Sequence, residues 1–184
     1  YNVGTSSKKW KGATIFWQFD IKNRIRTGKI MLYNKKSGKR VKKPHAYISW
    51  IHTKLKKENE VLRQCFFGEH LLTKENNKPV AIVESEKTAI ICNMKLKNYI
   101  WLASGGLNIN ENKFEILKGR SVVLFPDLNA YSNWKDKVAN FKNNSRIKVI
   151  DFFEKIATKN ELNDGLDLGD YFVNHNKIYF NKLM

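Results

Sequence analysis

The chain has 184 residues, is 42% apolar and carries a formal net charge of +17. That length and apolar content suit one core, or one domain with a smaller lobe. No apolar run approaches the roughly 18 residues a membrane span requires. No secretory signal opens the sequence, so a soluble protein of the reducing cytoplasm is expected. The chain begins at Tyr1, which suggests trimming from something longer. Cys65 and Cys92 stand 27 positions apart and form no Cys-x-x-Cys pair, and His45, His52, His70 and His175 lack ligand spacing. These features argue against a structural zinc or a redox site.

The charge is unevenly placed. Residues 1–78 hold 19 Lys and Arg against 5 Asp and Glu, a net +14, whereas residues 79–184 hold 15 against 12, a net +3. A basic front points to a polyanion partner. Trp10, Phe16, Trp17, Phe19, Tyr33, Tyr47 and Trp50 are interleaved with the cations. Phosphate contact combined with base stacking is how single strands are held without sequence preference. Most of these rings are nonetheless expected in the core, and Ile15, Trp17 and Phe19 alternate as one inward face of a strand.

In chain order, residues 14–20 read as a strand, 22–23 as a turn and 26–33 as a second strand, followed by a loop at 34–38 that returns through 39–41. Gly38-Lys39-Arg40 and Gly28-Lys29-Ile30 both fail as phosphate loops. Tyr33 and Asn23 occupy the first glycine position, and Arg40 and Ile30 stand where Ser or Thr is needed. Residues 49–57 read as a helix with Trp50, Ile51 and Leu55 apolar. A polar stretch at 58–60 then leads to 64–72.

From residue 78 strands and helices alternate. Strands are expected near 80–84, 99–102, 121–125 and 147–150, and helices near 86–95, 111–118 and 131–142. That rhythm implies a parallel sheet with right-handed crossovers. Pro79–Ile91 reads P-V-A-I-V-E-S-E-K-T-A-I-I. Its run Val80–Val83 suits a strand buried on both faces. Ser85 suits a helix cap and Glu86 the positive first turn, which leaves Glu84 in the strand-to-helix crevice where ligands collect in open α/β sheets. The strand at 121–125 repeats the arrangement with Pro126, Asp127, Leu128 and Asn129. If the two strands are neighbours, Glu84 and Asp127 can share an oxygen-preferring divalent cation. Each acid alone equally suits a solvated residue leaving a strand. Gly105 and Gly106 permit either a tight turn or close approach to a ligand.

The runs F-F-G-E-H-L-L (66–72), V-A-I-V-E-S-E-K-T-A-I (80–90), W-L-A-S-G-G (101–106) and V-V-L-F-P-D-L-N-A (122–130) resemble, in the same order, the catalytic core of bacterial DnaG-type primases. In that core a small basic lobe leads into a Toprim domain. The V-E-S-E-K-T-A and L-F-P-D phrasing is most similar to Toprim proteins of mobile elements from Bacteroides-type bacteria. The resemblance implies an α/β fold, a Toprim-like mainly parallel sheet flanked by helices (78–184) preceded by a small basic α+β lobe (1–77).

It also implies nucleotidyl transfer on single-stranded DNA with Mg²⁺ or Mn²⁺ and nucleoside triphosphates. A replicative helicase would be reached through regions outside this chain. Glu84 looks like the family's strand-end glutamate, acting as general acid, general base or metal ligand, and Asp127 like the first aspartate of an Asp-x-Asp metal motif. Arg24, Arg26, Lys29, Lys39, Arg40 and Lys87 would hold template or triphosphate.

The departures are specific. Asn129 stands where the second aspartate belongs, Ser85 replaces a glycine and Tyr131 another small residue. An amide oxygen ligates Mg²⁺ without contributing charge. Asp164, Asp167 and Asp170 resemble acidic segments of related primases and would supply the missing carboxylate. Alternatively, Asp167 caps a short helix whose first turn contains Asp170. Two other functions remain open: a Toprim nuclease, and a weakened DNA-binding module of a mobile element. A topoisomerase would need a nucleophilic tyrosine that nothing here identifies.

Overall fold

Val3–Thr5 (β1), Thr14–Phe19 (β2), Ile25–Met31 (β3) and Ile48–Trp50 (β4) form an antiparallel sheet in the order β1-β2-β3-β4. Val80–Val83 (β5), Ile100–Ala103 (β6), Val122–Leu124 (β7) and Ile147–Val149 (β8) form a second, wholly parallel sheet in the order β6-β5-β7-β8. The structure is a computed structural model describing residues 1–55, 63–75, 77–142, 144–159, 161 and 166–174. The chain divides into two compact units, Tyr1–Lys74 and Glu75–Met184. Among the described residues no helix is long and apolar enough to cross a membrane.

In the first unit the register of β2 decides which side chains are core. Phe16 and Gln18 are buried, whereas Ile15, Trp17 and Phe19 are half-buried. The expectation that Ile15, Trp17 and Phe19 form the inward face is therefore reversed. The reason is tertiary: buried Phe66 and Phe67, far along the chain, cover the other face, with Phe67 meeting Phe16 edge-on at 5.6 Å between centroids. Gln18 Oε1 accepts the amide of Cys65. On the half-open face Gly28 makes room for the Trp17 indole, since a Cβ there would lie 2.9 Å from Trp17 Cε3 and 3.1 Å from Ile15 Cγ2.

The helix expected at 49–57 is also corrected. Ile48–Trp50 is β4, paired with β3 through Lys29–Trp50, and a helix covers only His52–Leu55 (α1) among the described residues. Ile48 and Trp50 take the edge of the sheet because β3 offers them an unpaired strand. Residues 56–62, and with them the polar stretch at 58–60, lie outside the described residues. The short β1 had no counterpart in the sequence reading.

In the second unit Val80, Ala81, Ile82 and Val83 are fully buried, as a central parallel strand requires. Helix α2 (Glu86–Lys95) follows β5, and Ser85 caps it by accepting the Thr88 amide. The expected helix at 111–118 is an α-turn, Glu111–Phe114 (α3), tightened into a 3₁₀ turn at Glu115–Leu117. Helix α4 (Tyr131–Ala139) packs Trp134 fully inside, with its Nε1–H donating to the Leu107 carbonyl at 3.0 Å. Phe152–Ile156 (α5) and Leu168–Asn174 (α6) complete the described helices. The sheet core, with Ile82, Leu102, Leu124 and Trp101 all fully buried, contributes on the order of 1.5–3 kcal/mol per large side chain.

Candidate functional site at the carboxyl edge of the parallel sheet

β5 and β7 are hydrogen-bonded neighbours, with Val80 opposite Val122 and Ile82 opposite Leu124. The chain leaves both at the same edge, so Glu84 and Asp127 emerge side by side from a fully apolar floor. The edge is tied together by backbone: Phe125 N donates to Ile82 O at 2.8 Å, and Gly105 N donates to Glu84 O at 3.0 Å. Gly105 has φ +85° and Gly106 φ +154°, so the β6 turn uses the freedom only glycine has cheaply. Lys113 reaches the Ser104 carbonyl at 3.3 Å and helps hold that turn.

A third acidic element closes the group from a distant part of the chain. Helix α6 packs on α2, and the contact is tight because residue 169 is glycine. A Cβ there would lie 3.0 Å from Asp167 Oδ1 and 3.3 Å from Thr88 Oγ1. Asp167 accepts the Thr88 hydroxyl at 2.5 Å and the Asp170 amide at 2.8 Å. Asp170 lies in the first turn of α6 and accepts the Asp167 amide at 3.4 Å. The two acids thus form a reciprocal helix cap. The Asp170 carboxylate stands 3.8 Å from Lys87 Nζ. Asp164 lies outside the described residues.

These carboxylates act on one another. Burial first, then the charges of Glu84, Asp167 and Asp170, hold the Asp127 carboxyl far above the ordinary carboxylate range. Buried Cys92 on α2 likewise has its thiol pushed up, by burial and then by the charge of Asp167, which leaves it unreactive. Asn129 is exposed and adopts φ +70°, a left-handed conformation that Asn tolerates better than most residues.

Concentrated carboxylate oxygen suits a hard cation such as Mg²⁺ or Mn²⁺. Among the described residues no three His, Cys, Asp or Glu side chains stand close enough to hold a metal ion by themselves. Mg²⁺ is commonly held by one or two carboxylates with substrate phosphates completing the shell, and the donor set at this edge fits that mode.

The basic candidates of the first unit fall into three environments. Arg24 and Arg26 converge on Asp20: each donates its Nε to Asp20 Oδ2 at 2.9 Å, and their second nitrogens lie 2.8 and 2.7 Å from the same oxygen. Asp20 Oδ1 takes the amides of Lys22 and Arg24. Burial, the largest single influence on Asp20, pushes its carboxyl up, but the Arg24 and Arg26 hydrogen bonds and the Arg26 charge together hold it down at about 2. Lys29 is buried in β3 with Nζ 5.7 Å from the centre of the Trp50 ring. Lys39 and Arg40 are exposed on the β3–β4 connection, where Asn34 shapes the turn by accepting the amides of Lys36 and Ser37.

Sequence reading missed Thr88 as the partner of Asp167 and Asp20 as the organiser of two arginines. The Asp20-x-x-x-Arg24-x-Arg26 spacing across a turn was the available signal for the second; the first had none.

A family model described as Domain of unknown function (DUF6371) matches residues 1–128. No curated protein matches the chain. Among solved structures, the RNA polymerase domain of Mycobacterium tuberculosis primase DnaG is similar with a TM-score of 0.59 at 10% identity, over 94% of this chain and 56% of that one. The primase fragment of the bacteriophage T7 primase-helicase protein is similar with a TM-score of 0.54 at 12% identity, over 89% and 65%. A DNA primase domain from Pseudomonas aeruginosa is similar with a TM-score of 0.54 at 11% identity, over 80% and 47%. The chain therefore spans between 47% and 65% of these proteins, and at such identities the likeness is one of fold.

Proposed function

For this chain, which belongs to the DUF6371 family, we propose a primase-like nucleotidyltransferase core of Toprim type that joins nucleotides on single-stranded DNA with Mg²⁺ or Mn²⁺. The observation that carries the proposal is that the paired parallel strands β5 and β7 deliver Glu84 and Asp127 to one carboxyl edge, where the charges of Glu84, Asp167 and Asp170 bear on the Asp127 carboxyl. Mutually repelling carboxylates are unfavourable without a counterion, and a triphosphate brings a cation with it. The shared fold with primase domains supports the same reading.

Glu84 and Asp127 are the ligands assigned to the cation, with Asn129, Asp167 and Asp170 supplying further oxygens as substrate binds. Bound there, the cation would neutralise the triphosphate and activate the attacking 3′-hydroxyl. Lys87, beside Asp170, offers a positive charge to an incoming phosphate. The first unit, carrying most of the net charge, would hold the template. The proposal places the protein in the cytoplasm, in a mobile element of Bacteroides-type bacteria, with a replicative helicase met through regions outside this chain.

A second reading has its own observation. Asn129 occupies the second acidic position of the metal motif, and Asp167 and Asp170 spend hydrogen-bonding capacity on the α6 cap. Both favour a weakened module that binds DNA without turnover. Incubation with single-stranded DNA, nucleoside triphosphates and Mg²⁺ or Mn²⁺ separates the outcomes. Template-dependent extension supports the enzyme, cleavage indicates a nuclease, and binding alone supports the module.

A further inference from the structure

The aromatic residues interleaved with the basic front are not equivalent. Phe16 is buried and meets Phe67, Tyr33 lies edge-on to Phe16, and Phe19 lies edge-on to His70. Three rings are arranged differently. His45 stacks on Tyr47 with centroids 4.3 Å apart and planes 28° from parallel. Tyr47 in turn meets Trp10 edge-on at 5.3 Å. Lys9 Nζ sits 4.6 Å over the Trp10 ring, held there by the Ser49 hydroxyl at 3.0 Å. His45 is exposed, and Tyr47 and Trp10 are half-buried.

Two further observations set this row apart from ordinary packing. Trp10 has φ +51°, a backbone conformation that a bulky residue rarely adopts and that tends to mark functional positions. The row also adjoins in sequence a dense cationic loop, with Lys35, Lys36, Lys39, Arg40, Lys42 and Lys43 within nine positions. Every residue from Lys35 to Lys43 except Val41 is exposed, and no carboxylate among the described residues pairs with Lys39 or Arg40.

We propose that His45, Tyr47 and Trp10 form a stacking platform for unpaired bases of a single-stranded nucleic acid whose phosphates lie along the Lys35–Lys43 loop. The inference rests on the reading of the first unit as the template holder and identifies which residues read the strand. Flat rings bind any base because every base has a π face, while lysines and arginines follow the backbone charge. A polypeptide polyanion would use the cations and leave the rings idle. The exposed outer member, His45, gives an incoming base a surface on which to extend the stack.

The test is fluorescence anisotropy on the full chain with labelled oligothymidylate and an abasic oligomer of equal length, titrated with salt. Wild type is expected to favour oligothymidylate on the order of tenfold or more. Tyr47→Ala and His45→Ala should each shrink that preference while leaving abasic affinity and salt slope unchanged, and Tyr47→Phe should restore it. Lys39→Ala with Arg40→Ala should weaken both oligomers and flatten the salt slope by roughly 0.7 per lost phosphate contact. Exposed His45 can be replaced without disturbing the fold, so the test stands even if Tyr47→Ala unfolds.

Equal binding of the two oligomers by wild type would overturn the platform and leave the polyanion reading intact. So would a preference untouched by both alanine variants, or displacement of oligothymidylate by polyglutamate at equal charge concentration. Binding of neither oligomer would overturn the template-holding reading and the platform with it.

Discussion

The hydroxyl of Thr88 on α2 donates to Asp167 at the start of α6 across 2.5 Å, between residues 79 positions apart in sequence. This bond brings the α6 acids to the edge where Glu84 and Asp127 emerge. Both partners are buried, so Thr88→Val should leave an acidic oxygen desolvated and cost about 1–3 kcal/mol. Thr88→Ser should retain most of the stability. Urea denaturation of the two variants checks the expectation; equal stability of Thr88→Val and wild type would show that α6 is held by packing alone.

Asp127 makes stability depend on pH in a definite direction. Its folded-state carboxyl is pushed up from the ordinary 3.8 to about 9, so between those values the folded state binds more proton than the unfolded chain. Stability then falls as pH rises from about 4 through neutrality. Asp127→Asn should remove this slope, and the comparison of melting temperatures between wild type and variant isolates it from other titrating groups. Mn²⁺ should flatten the wild-type profile and leave the variant unmoved. A wild-type profile in chelator that parallels the variant across pH 5–8 would argue that Asp127 ionises freely.

Asp20 behaves oppositely. Its folded-state pKa is held at about 2, below the unfolded value, so the stability it contributes is present above about pH 4 and is lost as pH falls toward 2. Asp20→Asn should cost about 1.5–3 kcal/mol at neutral pH through weakened bonds to Arg24 and Arg26. It should also raise affinity for single-stranded DNA at low salt, because two guanidinium groups lose their internal counter-charge. Stability by denaturant and affinity by anisotropy should therefore move in opposite directions.

Asn129 is where the metal-site reading is most exposed to test. Its left-handed backbone at φ +70° is one that Asp also tolerates, so Asn129→Asp should fold. The added carboxylate, two positions from Asp127, should tighten Mn²⁺ binding several-fold by calorimetry and slightly lower melting temperature in chelator. Glu84→Gln and Asp127→Asn should each weaken the same binding. Tighter metal with product formation supports a weakened enzyme, and tighter metal with none supports a binding module.

Several features were determined by the sequence alone. A run of four apolar residues such as Val80–Val83 can satisfy its side chains only when both faces are covered, and a carboxylate cannot follow it into the core. The strand must therefore end at Glu84, and by the same reasoning β7 leads out to Asp127. Ser85 then caps the helix because its hydroxyl reaches a free amide one turn on. Local chemistry of this kind is readable because each requirement is met within a few residues.

Other features were decided only by the tertiary structure. The alternation in β2 has period two and places aromatic rings on both faces, so sequence could not say which face is core. Phe66 and Phe67, roughly fifty positions away, settle that by covering Phe16. The pairing of Asp167 with Thr88 and the burial of Lys29 against Trp50 follow similarly. Each depends on two elements meeting in space, a condition fixed by long-range packing and carrying no local signature.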